Sequence, residues 1–322
     1  MKKSTKIVLI LGGCLIGGGL LLMLCGWLTG GRNGLVYYEG AWRPAVYDTG
    51  WSETVRVDET FAGVESLSVS LSLGELELRE DKGLDAGDVR VVYALPRELS
   101  TSMAVEQGTL RFESGGELRR ERPRWGIGDW FFSWGRNRGY QEASVNIYYG
   151  PGTVFDRADI TAALGNITIY GMEVNALELE DNLGEVFLKR VNAEKTTALT
   201  LSAGNLEATD CRLGQAQIDC AMGNIEASGI HTAGLTASAN MGSVDLSGAL
   251  EGDIQVQCDM GSIFIDTELP RSAYRLDLEA SMGSVEVDGY DGSSLREDNP
   301  GAANAIEGRC SMGSIEVYFS RY

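Results

Sequence analysis

Ala221-Met222-Gly223-Asn224-Ile225, Asn240-Met241-Gly242-Ser243-Val244 and Asp259-Met260-Gly261-Ser262-Ile263 are three successive copies of one phrase. It occurs upstream as Ala163-Leu164-Gly165-Asn166-Ile167, Asn182-Leu183-Gly184-Glu185-Val186 and Ser202-Ala203-Gly204-Asn205-Leu206. Downstream it returns as Ser281-Met282-Gly283-Ser284-Val285 and Ser311-Met312-Gly313-Ser314-Ile315. Successive glycines are 19, 20, 19, 19, 19, 22 and 30 residues apart. A period near twenty, copied end to end, is the mark of a solenoid whose units are stable only when stacked.

The spacing inside one unit says what it folds into. Two and four residues after each glycine the side chain is apolar, as in Ile225/Ala227, Val244/Leu246 and Ile263/Ile265. Three, five and seven residues before it the same holds, as in Cys258, Val256 and Ile254. A period of two is a strand with one inward face. Each coil therefore carries two short strands hinged at Met-Gly, and the fold class is an all-β, single-stranded β-solenoid of about 19–20 residues per coil. Leu71-Ser72-Leu73-Gly74-Glu75-Leu76 matches the unit and is read as the first coil, cut off from the second by an insertion.

Sequential stacking at about 4.8 Å per coil makes further predictions. Met222, Met241, Met260, Met282 and Met312 form one column, expected to fill the core. Cys220, Cys258 and Cys310 share a position with Ala239 and Ala280 between them, two coils apart at about 9 to 10 Å. That is too far for a disulfide. The outward position three after glycine carries Glu207, Glu226, Asp245, Glu286 and Glu316, interrupted by Phe264. Hard cations are held by several oxygens, so this column is a candidate weak cation face. The Gly-Gly-x-Gly-x-Asp calcium repeat is absent, and a solvated acidic face explains the column equally well.

Before the repeat, Ile7 to Leu28 is a run of 22 residues without charge. As a helix it spans roughly 33 Å, enough to cross a bilayer. Lys2, Lys3 and Lys6 precede it, which predicts an N-terminus in the cytoplasm and the remainder outside the cell. A cleaved signal peptide ending near Thr29-Gly30-Gly31 and a lipoprotein box at Leu11-Gly12-Gly13-Cys14 are the competing readings. The domain plan is thus a cytoplasmic tail (1–6), a transmembrane helix (7–28), a stalk (29–59) and the solenoid (60–322). The net charge is −19; the first 31 residues contribute +3, leaving −22 for the rest. A surface this acidic repels nucleic acid.

Residues 114–141 break the pattern. Arg119, Arg120, Arg122, Arg124, Arg136 and Arg138 surround Trp125, Trp130, Phe131, Phe132 and Trp134. Basic and aromatic residues together suit a headgroup interface or a partner surface. The alternative is that Trp130, Phe131 and Phe132 cover the open end of the solenoid.

The strand Val145-Asn146-Ile147-Tyr148-Tyr149, the turn Gly150-Pro151-Gly152, the segment Phe155-Asp156, the tandem Met-Gly coils and the closing phrase Met312-Gly313-Ser314-Ile315-Glu316-Val317-Tyr318-Phe319 together resemble a bacterial β-solenoid family of candidate adhesins whose domain has no known function. The likeness runs from about Phe61 to the C-terminus, and the insertion falls outside it. What the resemblance implies is a surface-contact role, with no catalytic residues or cofactors to carry over. The single histidine, His231, is expected in a turn and pairs with no nucleophile at a repeat position. The reading is a non-enzymatic, membrane-anchored, extracellular adhesin-like or envelope-associated module, contacting envelope proteins or surface glycans. Its rivals are a polymerising scaffold of the bactofilin kind and a β-helix carbohydrate-active enzyme.

Overall fold

The structure is a computed structural model that describes residues 54–97, 99–115 and 143–320, and strand placement alone for 35–38 and 41–44. The cytoplasmic tail, the proposed transmembrane helix and nearly all of the Arg/Trp insertion lie outside the described residues. Two compact units partition the chain: residues 1–52 with 118–140, and residues 53–117 with 141–322. In the first, Leu35–Tyr38 and Ala41–Pro44 form an antiparallel hairpin. The second is the solenoid.

Its strands form two parallel stacks meeting at the Met-Gly corners. The strands after the corner run Glu75–Glu80, Ile167–Tyr170, Val186–Lys189, Leu206–Thr209 and then the start of Ile225–Met241, each in parallel register with the next. Leu76, Ile167, Val186, Leu206, Ile225, Val244 and Ile263 are aligned and fully buried. The strands before the corner stack likewise, with Ile254, Val256 and Cys258 facing inward. The single-coil pattern read from the sequence holds. Among the described residues the only helix is the short turn Arg271–Ala273, and none is long and apolar enough to cross a membrane.

The glycine at each corner is explained by crowding from the neighbouring coil. A Cβ on Gly165 would overlap the carbonyl of Gly74; one on Gly184, that of Gly165; and so on through Gly204, Gly223, Gly242 and Gly261. Each carbonyl thus sits against the next coil's Cα, where only hydrogen fits. The residue after glycine supplies a second ladder. Asn166 Oδ1 accepts from the Glu185 N–H at 3.0 Å, Asn205 Oδ1 from the Asn224 N–H at 3.0 Å, and Asn224 Oδ1 from the Ser243 N–H at 2.9 Å.

Coil order at the C-terminal end departs from chain order. Asp253–Met260 pairs not with Tyr274–Met282 but with Asn304–Met312, which also pairs on its far side with Tyr274–Met282. The corner ladder gives the same order, with Gly313 against Gly261 and Gly283 against Gly313. The strand Asn304–Met312 is therefore threaded between two earlier ones. Asn304 fastens it on both sides, accepting from the Gly252 N–H at 2.9 Å and donating to the Ala273 carbonyl at 3.2 Å. Arg309 joins it to Asp277 of the outer coil at 3.0 Å.

Antiparallel strands close both ends. At one end Thr54–Phe61 pairs with Val89–Pro96, and Ser100–Glu106 with Thr109–Gly115. Residues 54–59, assigned to the stalk from sequence, are part of this edge. At the other end Ser294–Glu297 and Tyr290–Gly292 fold back on the outermost coil. From the sequence, the insertion and the C-terminal aromatics Tyr318, Phe319 and Tyr322 are the residues expected to cap the two ends and block end-to-end growth. Tyr318 and Phe319 lie instead in Ile315–Phe319, the strand after the threaded one, one coil in from the end, and Tyr322 is outside the described residues.

Candidate functional site

The coil interiors are packed largely by apolar side chains, and the column three residues before the corner is where a buried titratable group stands out. From one end it runs Leu71, Ala162, Asp181, Leu201, Cys220, Ala239, Cys258, Cys310 and Ala280. Two facts here were not legible beforehand. Cys258 and Cys310 are direct neighbours, not two coils apart, because the threaded strand brings them together. Both are free thiols. The Cys258 thiol donates to the Gly242 carbonyl at 3.1 Å and the Cys310 thiol to the Gly261 carbonyl at 3.4 Å. Burial pushes Cys258 up to about 11, which works against a reactive thiolate and keeps these residues in a packing role.

The second fact is Asp181, a carboxyl with 0% exposure between Ala162 and Leu201. Neither of its oxygens finds a hydrogen-bond partner. Burial raises its pKa to about 6, outweighing the nearby Leu183 N–H, which acts in the other direction without reaching hydrogen-bond geometry. A Cβ on Gly184 would meet Asp181 Oδ2 and the Gly165 carbonyl together, just as one on Gly261 would meet the Cys258 sulfur and the Gly242 carbonyl. Asp181 thus occupies the place from which a thiol donates to the corner carbonyl. Only its protonated form has a hydrogen to give.

The acidic column is assembled as predicted in part. Glu207, Glu226 and Asp245 are in direct register and exposed, followed by Phe264, then Glu316 and finally Glu286, the last two in reverse of chain order. Partial burial and the charges of Glu226 and Asp266 raise the pKa of Asp245. Phe264 is half-buried rather than isolated, its ring 5.4 Å from that of Tyr318. Among the described residues no three His, Cys, Asp or Glu side chains gather as a metal centre.

At the other end the same outer face changes character. Tyr148, Arg79, Tyr170 and Lys189 follow one another in register. Arg79 lies over the Tyr148 ring at 5.0 Å and pairs with Glu77 at 3.3 Å. Thr168, Tyr170, Phe187, Lys189 and Glu207 line a shallow open depression beside it. Sequence reading had passed over this patch because its members come from four separate strands. His231, expected in a turn, lies exposed within the strand Ile225–Met241, beside Arg212 and Ala249.

The methionine column corrects the sequence reading most. Met222, Met241, Met260, Met312 and Met282 are in register in that order, yet their exposures are 48, 44, 43, 43 and 65%. The corner turns the side chain before glycine outward, while the core is filled from positions two and four on. Leu164 and Leu183, also exposed, hold the same position beyond the half-buried Ala203 of the Gly204 coil.

Arg119, Arg120, Arg122, Arg124, Trp125, Trp130, Phe131, Phe132 and Trp134 lie outside the described residues, but their point of attachment does not. Thr109–Gly115 and Ser144–Tyr149 are the two strands of one coil, stacked outside the Gly74 coil. In chain order the insertion falls between these two strands, where the other coils carry their corner phrase. Ala143 supplies the carbonyl, 2.7 Å from a Cβ placed on Gly74, that a corner glycine supplies elsewhere.

No curated protein matches the chain. Similar crystal structures include a candidate cell adhesion protein from Clostridium sporogenes, 13% identical with TM-score 0.26 over 83% of this chain and 100% of that one. A candidate adhesin from Bacteroides fragilis is 12% identical with TM-score 0.42 over 83% and 97%. Another from Parabacteroides merdae is 9% identical with TM-score 0.32 over 83% and 96%. Likeness this distant carries no functional weight. The sequence profile of Toastrack DUF4097 matches residues 64–305, from the first inward-facing valine of the solenoid to the threaded strand, and by that match the chain belongs to the Toastrack DUF4097 family.

Proposed function

We propose that the protein is a membrane-tethered, extracytoplasmic contact module that acts through the lateral faces of its solenoid, in the manner of an adhesin or envelope-associated protein. One observation carries this reading: apart from Asp181, the inward repeat positions around the corners are taken up by apolar packing, so the chemically varied residues are left on outer faces spanning nine corners. Such a surface suits extended contact with an envelope protein or glycan rather than turnover of a small substrate. The 22-residue uncharged run behind Lys2, Lys3 and Lys6 supports the tether and its direction. In this arrangement the Arg/Trp insertion is the segment suited to headgroups or a partner. The antiparallel strands at both ends weigh against growth by end-to-end stacking, which disfavours the scaffold alternative.

The experiment is proteinase treatment of intact cells carrying the full chain with a C-terminal epitope tag. The tag is expected to be lost at a protease concentration that leaves a cytoplasmic protein whole. Full protection until the cells are lysed would overturn the orientation and with it the contact role.

A further inference from the structure

The methionine ridge is unexplained by the fold. Its side chains are not needed in the core, yet five successive coils place a thioether at one exposed position. Leucine at the same corner of the Gly165 and Gly184 coils shows that the position tolerates another apolar residue. We propose that Met222, Met241, Met260, Met312 and Met282 form a binding track for a soft monovalent cation, Cu(I) or Ag(I), held between thioethers of adjacent coils.

The geometry favours this class of ion. Parallel coils repeat every ~4.8 Å. Two metal–sulfur bonds of about 2.3 Å placed end to end span roughly 4.6 Å, so two thioethers one coil apart can grip an ion in near-linear coordination. Methionine has three rotatable bonds, which lets a third sulfur lean in without moving the backbone. Neutral thioethers select soft ions over calcium, magnesium or zinc. The other soft ligands described, Cys211, Cys220, Cys258 and Cys310, are buried, with thiol pKa values raised by burial, and so compete poorly. A chain carrying −19 gathers cations at its surface.

The chain contains its own controls. Of nine methionines, Met172 is fully buried and Met103 packs on the core. Full-length protein carrying [13C-methyl]methionine, in detergent and without oxygen, is titrated with Ag(I), and in a second series with Cu(I). The five ridge methyl signals are expected to shift while those of Met172 and Met103 stay fixed. The variant Met222→Leu/Met241→Leu/Met260→Leu/Met312→Leu keeps the apolar ridge and removes its sulfur; it should lose the corresponding equivalents of bound ion in native mass spectrometry. Cys258→Ala/Cys310→Ala should retain them. Unmoved ridge signals would overturn the proposal. So would equal binding by the leucine variant, or loss of binding only in the cysteine variant, which would assign the ion to the thiols. A ridge that serves protein contact alone gives the first of these results.

Discussion

Replacing Gly242 by alanine is expected to cost about 3 to 5 kcal/mol, the sum of strain at a disfavoured φ and overpacking against a neighbour. Gly242 has φ +140°, and its added Cβ would overlap the Gly223 carbonyl oxygen, with Asn224 Oδ1 3.1 Å away. Neither neighbour can withdraw freely. The Gly223 N–H is tied to the next coil, donating to the Met241 carbonyl at 2.8 Å, and Asn224 Oδ1 holds the Ser243 N–H at 2.9 Å. Relief would require the coils to part at the corner, which breaks the ladder where it is most regular. Gly171 is the control: its φ is +69° and open space surrounds the Cβ position. Gly171→Ala should therefore lose only the conformational preference, about 1 kcal/mol. Urea unfolding of the two variants checks this; equal small losses would refute the crowding account and leave backbone angle as the sole reason for glycine.

Asp181→Asn is expected to stabilise the protein by about 2 to 3 kcal/mol at pH 7.5, against the usual trend for core substitutions. The carboxyl is buried without a partner, and its pKa is raised from 3.8 to about 6. Between those two values the folded state holds a proton that the unfolded state has released. Stability contributed by the protonated acid is complete below about pH 4, falls as pH rises towards 6 and is flat above it. Asparagine keeps the shape, offers a donor to the corner carbonyl at every pH and has no charge to bury. The variant should accordingly match the wild type near pH 4 and exceed it by about 5 to 10 °C in Tm near pH 7.5. A difference that does not change with pH, or a variant weaker at pH 7.5, would show that Asp181 is hydrated or otherwise paired.

The architecture was legible because a period of about twenty and an inner alternation of two leave little freedom: the positions of Ile225, Val244 and Ile263 fix register, face and corner together. What could not be read were features that depend on which coil lies next to which. Cys258 and Cys310 looked remote because chain order was taken as stacking order. The irregular steps of 22 and 30 residues, with Asn299-Pro300-Gly301 inside the second, were the available signal of a detour. The methionines were assigned inward on hydrophobicity, but the side chain before a corner points along the bisector of the turn and so outward. Asp181 escaped notice because its column was read through its cysteines and alanines, and one carboxylate in an acidic chain does not stand out until its burial is known. The acidic face was recovered from spacing alone; the Tyr148–Arg79–Tyr170–Lys189 patch, scattered over residues 79 to 189, was not.

Each outer surface described above, the methionine ridge and the acidic column included, depends on the stacking order of the corners, and a distance measurement tests that order directly. Nitroxide labels are placed pairwise at Glu207 with Glu286 and at Glu207 with Glu316, in the full chain with Cys14 and Cys25 replaced by serine. The structure puts Glu316 four coils and Glu286 five coils from Glu207. Pulsed electron resonance should then give separations of about 19 Å to residue 316 and about 24 Å to residue 286. The reverse, with residue 286 the nearer, would mean that the coils stack in chain order, and the threaded C-terminal strand would be wrong.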